Sequence, residues 1–353
     1  MSDINRGKFR VALTADFFGA DGKVQFRDVG LSVFQQQPAI EVVPMKGFYP
    51  SVKPEQLQGC QGAILMDSGA DRQTVSASHD LVALARFGVG YNDIDVKACT
   101  EADVCFFTCA GAVDRSMAEA TVGWMIALGH HYRAKDLIVR SGHWHEAPKY
   151  MGIELRDRTF GSVGMGGIAR ATIELLKGFG MAQPLAFDPF AKPADAERLG
   201  VRLTSLDEVM THADFISIHC PLNDQTRNLI NARELALMKP EAYLINTARG
   251  GIVNEDALYD ALKSRRIAGA ALDVFVGEPF DKPHRFGELD NVLLAPHAVG
   301  WTHELFRDIG RAACQGMVDL AEGRRPKSVI NPEVFDRPGF QQKWKRLRIS
   351  SGA

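Results

Sequence analysis

Three polar side chains of different kinds each follow an apolar run: Arg249 in INTARGGIVNEDAL, Glu278 in ALDVFVGEP and His297 in VLLAPHAVGWT. Imidazole titrates near neutral pH and is the side chain most often used to give or take a proton in a transition state. A carboxylate bonded to its other ring nitrogen would fix the tautomer and stabilise imidazolium. The planar fork of arginine matches a carboxylate with two parallel hydrogen bonds and polarises an adjacent oxygen. Such a set could take the hydroxyl proton from a secondary alcohol beside a carboxylate while hydride leaves the same carbon.

A hydride needs an acceptor, and FGSVGMGGIARATIELLKGFG offers a place for one. It runs from a strand through Gly164-x-Gly166-x-x-Ala169 into an amphipathic segment carrying Ile173, Leu176 and Phe179. Gly164 permits the tight turn, Gly166 lets backbone approach a pyrophosphate, and the small Ala169 allows close helix–strand packing. The helix start then presents free amides, chiefly those of Gly167 and Ile168, to the phosphates. The next apolar run ends at Asp188, where an acid would accept hydrogen bonds from the adenosine ribose and repel a 2′-phosphate. Pro189, Phe190 and Ala191 supply no arginine to reverse that repulsion, so the predicted cofactor is NAD rather than NADP.

The elements that would carry these residues are legible as two series of short apolar runs separated by helix-length segments, the pattern of parallel α/β folds. The first is FRVALT (9–14), IEVVPM (40–45), GAILM (62–66), LVALARF (81–87) and VCFFT (104–108). The second is TFGSVG from Thr159, PLAFD (184–188), DFISIHC (214–220), AYLINTA (242–248), AGAALDVF (268–275) and NVLLAP (291–296). Between them one long helix is predicted from Ser116 to about Arg140, then a connecting loop, SGHWHEAPKYMGIELRDR. A final helix over Glu304 to Glu322 leads to a tail. Two such series predict two doubly wound domains with a ligand in the cleft between them. Strand carboxyl ends share one sheet edge, so Arg249, Glu278 and His297 can converge there.

Composition excludes other classes. The 353 residues are 46% hydrophobic and 24% charged, with 41 basic against 43 acidic side chains, which gives no electrostatic reason for a nucleic-acid or anionic-membrane partner. No run approaches the ~20 apolar residues of a membrane helix, and the polar start MSDINRGKFR lacks the apolar centre of a signal peptide, so a cytoplasmic protein is expected. Cys60, Cys99, Cys105, Cys109, Cys220 and Cys314 form no CxxC pair and read as buried free thiols, with no metal set among them.

The three segments, taken in order with ARFGVGYNDIDVKACT, SMAEATVGWMIAL and HCPLNDQTRNLIN, resemble the signature regions of the D-isomer-specific 2-hydroxyacid dehydrogenases. That resemblance spans most of the chain. It implies a Rossmann NAD-binding domain, residues 119–301, inserted in a flavodoxin-like substrate domain of residues 1–118 and 302–353. It makes Arg249 the anchor of the substrate carboxylate, Glu278 the partner of the histidine and His297 the acid/base. It places the amides of Val89 and Gly90 on the substrate carboxylate, Cys220 and Pro221 beside adenine, and Thr247, Ala248 and Asp273 around the nicotinamide ribose and carboxamide. Asn92-Asp93 reverses the family's usual order after that substrate loop. Glu278 stands where a formate dehydrogenase of the same superfamily carries glutamine.

The expected activity is hydride transfer between NAD(H) and a D-2-hydroxy acid/2-oxo acid pair, either 3-phosphoglycerate-like or hydroxypyruvate/glyoxylate. The alternative is an NAD(H)-sensing protein of the same fold with little turnover. Arg72, Arg115, Lys149 and the His143-Trp144-His145 segment are candidates for the distal end of a substrate. A homodimer is expected from the resemblance and from the apolar-faced helix after Ser116.

Overall fold

A computed structural model describes residues 8–349; most of the polar start MSDINRGKFR and the last four residues lie outside the described range. The chain divides into two units, one drawn from Met1–Val113 and Thr302–Ala353, the other Asp114–Trp301.

In the first unit five strands, β1 (Phe9–Leu13), β2 (Ile40–Pro44), β3 (Gly62–Leu65), β4 (Ala83–Arg86) and β5 (Cys105–Phe107), form a parallel sheet in the order β2-β1-β3-β4-β5. This is the flavodoxin-like order. All four residues of β3 and all three of β5 are buried, which explains why they are uninterrupted apolar runs: a parallel strand covered on both faces has no solvent side to mark with polar residues.

The second unit contains β6 (Phe160–Val163), β7 (Leu185–Phe187), β8 (Arg202–Leu203), β9 (Phe215–Ile218), β10 (Tyr243–Asn246), β11 (Gly269–Leu272) and β12 (Val292–Leu294). They lie parallel in the order β12-β11-β10-β9-β6-β7-β8. The order reverses between β6 and β9, the switch point at which Rossmann sheets open a crevice beyond their strand ends. Two apolar clusters fill this unit, one gathering Val163, Ile216, Leu244, Ala270 and Phe286, the other Met125, Phe160, Phe215, Ile245 and Ala271. Residues adjacent on one strand, such as Leu244 and Ile245, fall into different clusters because successive side chains point to opposite faces.

The predicted long helix is two: Asp114–Gly129 and Tyr132–Arg140. His131 between them takes a left-handed conformation (φ 53°, ψ 45°), and the Gly129 carbonyl accepts the Ile153 amide at 2.8 Å. A tertiary hydrogen bond thus ends the helix where the sequence pattern would carry it on. The loop after it holds a 3-10 helix, Trp144–Tyr150. The helix near the end of the chain runs His303–Ala321, and the tail adds a further helix, Pro338–Leu347. Among the described residues no helix is long and apolar enough to cross a membrane. Five of the six cysteines are buried and Cys220 is half-buried; all are free thiols.

Candidate active site

The glycine turn leaves β6 at Gly164, whose φ of +99° only glycine adopts freely. A Cβ there would stand 2.8 Å from the carbonyl of His219 and 2.9 Å from the amide nitrogen of Cys220, so the turn is pressed against the end of β9. The helix Gly167–Leu176 follows, with Gly166 as its N-cap and no side chain capping it. Its first-turn amides, including those of Gly167 and Ile168, therefore point outward without an intrahelical acceptor, and the space beside Gly166 is open. These are the features a pyrophosphate requires.

Asp188, just past β7, is held by backbone on both oxygens: Oδ2 accepts the Met165 amide and Oδ1 the Phe190 amide, each at 2.8 Å. The acid is thereby tied to the glycine turn itself. At the neighbouring strand ends lie two buried polar atoms with no protein partner, Nε2 of His219 and Oγ1 of Thr247. Unsatisfied buried groups are costly, and a cofactor rich in hydroxyls and amides could satisfy them. The residues present fit a dinucleotide. Burial alone pushes the pKa of His219 down to about 4, so its ring is neutral at pH 7. Burial is also the main cause that pushes the Cys220 thiol up to about 11, which leaves it unreactive beside Pro221.

The ends of β10, β11 and β12 carry the polar triad. Asn246, buried at the last position of β10, staples the turn that follows: its Oδ1 accepts the Ala248 amide at 3.1 Å and its Nδ2 donates to the Arg249 carbonyl at 3.0 Å. Nη1 of Arg249 donates to the Ala248 carbonyl at 2.6 Å. Glu278 is anchored by the Phe275 amide, which donates to Oε2 at 2.9 Å, and its Oε1 lies 2.6 Å from Nδ1 of His297. The Val276 amide donates to Oε1 of Glu255 at 2.7 Å, and the His284 ring packs 4.9 Å from that of Phe275, bracing the loop that leads to Glu278.

Asp273 is buried and its carboxyl lies above the usual range, chiefly through desolvation. Its Oδ1 accepts the amides of Ala298 and Val299 at 2.8 and 3.0 Å. Sequence reasoning assigned Asp273 only to the cofactor; the structure gives it this second task. Nothing in the local pattern marks Asn246, Glu255 or His284, whose roles arise from contacts between strand ends.

Val89 and Gly90 follow β4 in the other unit, where Nε of Arg86 donates to the Gly90 carbonyl at 2.9 Å and shapes the turn. The cations considered for the distal end of a substrate are all in exposed ion pairs: Arg72 with Glu101 at 2.6 Å, Arg115 with Glu119 at 2.5 Å and Lys149 with Glu146 at 3.2 Å.

The model of the D-isomer specific 2-hydroxyacid dehydrogenase NAD binding domain matches residues 122–299. A glyoxylate reductase of Korarchaeum cryptofilum is 34% identical over 293 residues, which is 81% of this chain and 88% of that protein. A D-3-phosphoglycerate dehydrogenase of Archaeoglobus fulgidus is also 34% identical, over 77% of this chain but 51% of its own length, so the chain spans about half of that relative. Among solved structures, the TT0316 protein of Thermus thermophilus aligns with a TM-score of 0.79 at 26% identity, covering 91% of this chain and 99% of that one.

Proposed function

Because the chain belongs to the D-isomer-specific 2-hydroxyacid dehydrogenases, NAD-dependent oxidoreductases, we propose that it interconverts a small 2-oxo acid and its D-2-hydroxy acid, a pair the size of glyoxylate or hydroxypyruvate. The observation that carries the reading is the 2.6 Å contact between His297 Nδ1 and Glu278 Oε1 on the strand edge that also bears Arg249. With Nδ1 committed to the carboxylate, Nε2 is the ring atom left to meet a substrate oxygen. The smaller substrates are favoured because Arg72, Arg115 and Lys149 each already face a carboxylate rather than waiting for a phosphate.

In the reductive direction Arg249 holds the substrate carboxylate and polarises the neighbouring carbonyl; in the first unit the amides of Val89 and Gly90 are the proposed carboxylate donors. Bound NADH supplies the hydride. His297 gives its proton to the carbonyl oxygen as the alcohol forms, and Glu278 stabilises imidazolium before that transfer and fixes the tautomer after it. Oxidation reverses these roles. Gly164, Gly166, Gly167 and Ile168 bind the pyrophosphate through backbone, and Asp188 takes the adenosine ribose hydroxyls. Cys220 and Pro221 border adenine, and Thr247, Ala248 and Asp273 the nicotinamide end.

Tyr132, Leu137, Val139, Trp144 and Met151 are exposed apolar side chains on the segment after Gly129, and they support a homodimer through this segment. A cytoplasmic site of action belongs to the same reading, in keeping with NAD use and with free buried thiols. The test is NADH consumption across glyoxylate, hydroxypyruvate, pyruvate and phosphohydroxypyruvate. The highest kcat/KM is expected with one of the first two; a preference for phosphohydroxypyruvate would overturn the substrate assignment, and no turnover with any of the four would overturn the proposed substrate class.

A further inference from the structure

The place where a Cβ on Gly167 would stand is filled by a carboxylate. The Cγ of Asp114 lies 2.6 Å from that position and its Oδ2 closer still, so the acid is packed directly on the first residue of the glycine-turn helix. Asp114 opens the helix Asp114–Gly129 in the same unit. Among the described residues its carboxylate has neither a hydrogen-bond donor nor an ion-pair partner. Nearby cations are committed elsewhere: Arg115 on its own helix bonds Glu119, and Arg170 on the facing helix bonds Asp195 and the Met165 carbonyl. Glu119 and Glu174, the other acids of these two helices, pair with Arg115 and Lys177. Burial alone holds the Asp114 carboxyl above its ordinary range.

The positive end of a helix attracts one anion readily, and two that share it repel one another. A dinucleotide pyrophosphate on the Gly167 and Ile168 amides would come up against Asp114. We propose that Asp114 is a proton-linked brake on dinucleotide binding, its carboxyl taking up one proton from solvent as the pyrophosphate seats. The inference rests on the glycine turn being the NAD site. It makes affinity for NADH fall with rising pH, by up to tenfold per pH unit between the pKa of the free and the occupied carboxyl. It also separates this step from catalysis, since Asp114 touches no reacting atom.

The test is NADH fluorescence titration between pH 5.5 and 8.5 on the intact protein and on Asp114→Asn, with calorimetry in buffers of different ionisation enthalpy to count protons. Comparing the two proteins removes contributions that do not come from Asp114. The expected result is a wild-type Kd that weakens about tenfold more across this range than that of D114N, with proton uptake in the wild type that the variant lacks. Equal slopes, uptake that persists in D114N, or a variant that binds more weakly at every pH overturns the brake. Failure of both proteins to bind NADH overturns the placing of the dinucleotide at Gly164 to Ala169, and the brake with it.

Discussion

Asp273 and His297 hold one another's backbone in place. The His297 amide donates to the Asp273 carbonyl at 2.8 Å, and the Asp273 side chain accepts the next two amides, those of Ala298 and Val299. Between these anchors His297 takes a left-handed φ of 55°, a conformation that costs a non-glycine residue about 1 kcal/mol or more and persists only where the surroundings enforce it. The strand ends thus spend backbone strain on the direction of one imidazole.

Replacing His297 with alanine removes the proposed proton donor without touching the glycine turn. NADH should bind as in the wild type, while kcat falls by about 10²–10⁴, the usual worth of general acid/base help. Glu278→Gln keeps the size of the side chain but loses the charge that favours imidazolium, so its kcat should lie between the two. Steady-state kinetics with NADH fluorescence checks both; wild-type turnover in His297→Ala contradicts the assignment.

On the proposed reading Asp188 sets the choice between NAD and NADP. In Asp188→Asn only one of the Met165 and Phe190 amides keeps its oxygen acceptor, because the other would meet the side-chain NH2, and the charge facing a 2′-phosphate is gone. The ratio of kcat/KM for NADPH to that for NADH should rise about tenfold, or about 1.4 kcal/mol. An unchanged ratio would remove Asp188 from the selectivity argument.

Gly250 lies between Arg249 and the loop of Glu278. A Cβ on it would stand 2.6 Å from the Val276 nitrogen and closer still to the Phe275 carbonyl carbon, both backbone atoms that cannot rotate away. Gly250→Ala should therefore spread the ends of β10 and β11, moving Arg249 and Glu278 apart. The expected cost is about 1–3 kcal/mol of stability, as for other overpacking changes, with at least a tenfold fall in kcat/KM (about 1.4 kcal/mol). Thermal melting and kinetics on one preparation measure both, and a variant with wild-type values would show the close approach to be dispensable.

Lys343, in the helix Pro338–Leu347, donates to the carbonyls of Leu81 at 2.7 Å and Ala102 at 2.9 Å, and burial is the main cause that pushes its pKa down to about 8. The unfolded value is near ~10.4. Below about pH 8 both states are protonated and the full cost of burying the ammonium is present. From there toward ~10.4 the unfolded chain binds more protons, so stability rises with pH. Relative to Lys343→Met, the wild type should gain roughly 1–2 kcal/mol between neutral pH and pH ~10, a figure reduced for partial exposure. Urea unfolding at the two pH values decides it, and a constant difference would exclude the buried-ammonium account.

Much of this was readable in the residues. Most of the eleven apolar runs were legible because a parallel strand buried on both faces writes its whole length in apolar letters, and the half-open edge strands Ile40–Pro44 and Val292–Leu294 kept enough of that pattern to be read. The strand that escaped, Arg202–Leu203, is two residues long on the outer edge of its sheet, with one of them exposed, and leaves no such mark. The break at His131 escaped because its cause, the Ile153 amide on the Gly129 carbonyl, lies 24 positions along the chain. The helix Pro338–Leu347 is polar over most of its surface and buries only Phe340, so periodicity did not reveal it. At the site, the residues proposed to do chemistry stood out by type, whereas Asn246, Asp114 and Gly250 are notable for what they touch.

The second unit enters at Asp114 and leaves at Trp301, and near these points Oγ of Ser116 donates to the Gly300 carbonyl at 2.5 Å. Its first and last turns of chain are therefore side by side. A segment with adjoining ends behaves like a cassette: chains with neighbouring termini tolerate insertion and permutation well. Residues 114–301 could be lifted out as a single expression unit, or closed on themselves by a short linker and reopened at a surface loop. The same adjacency offers a route by which a nucleotide-binding module could be spliced into an unrelated host at a single point of its chain.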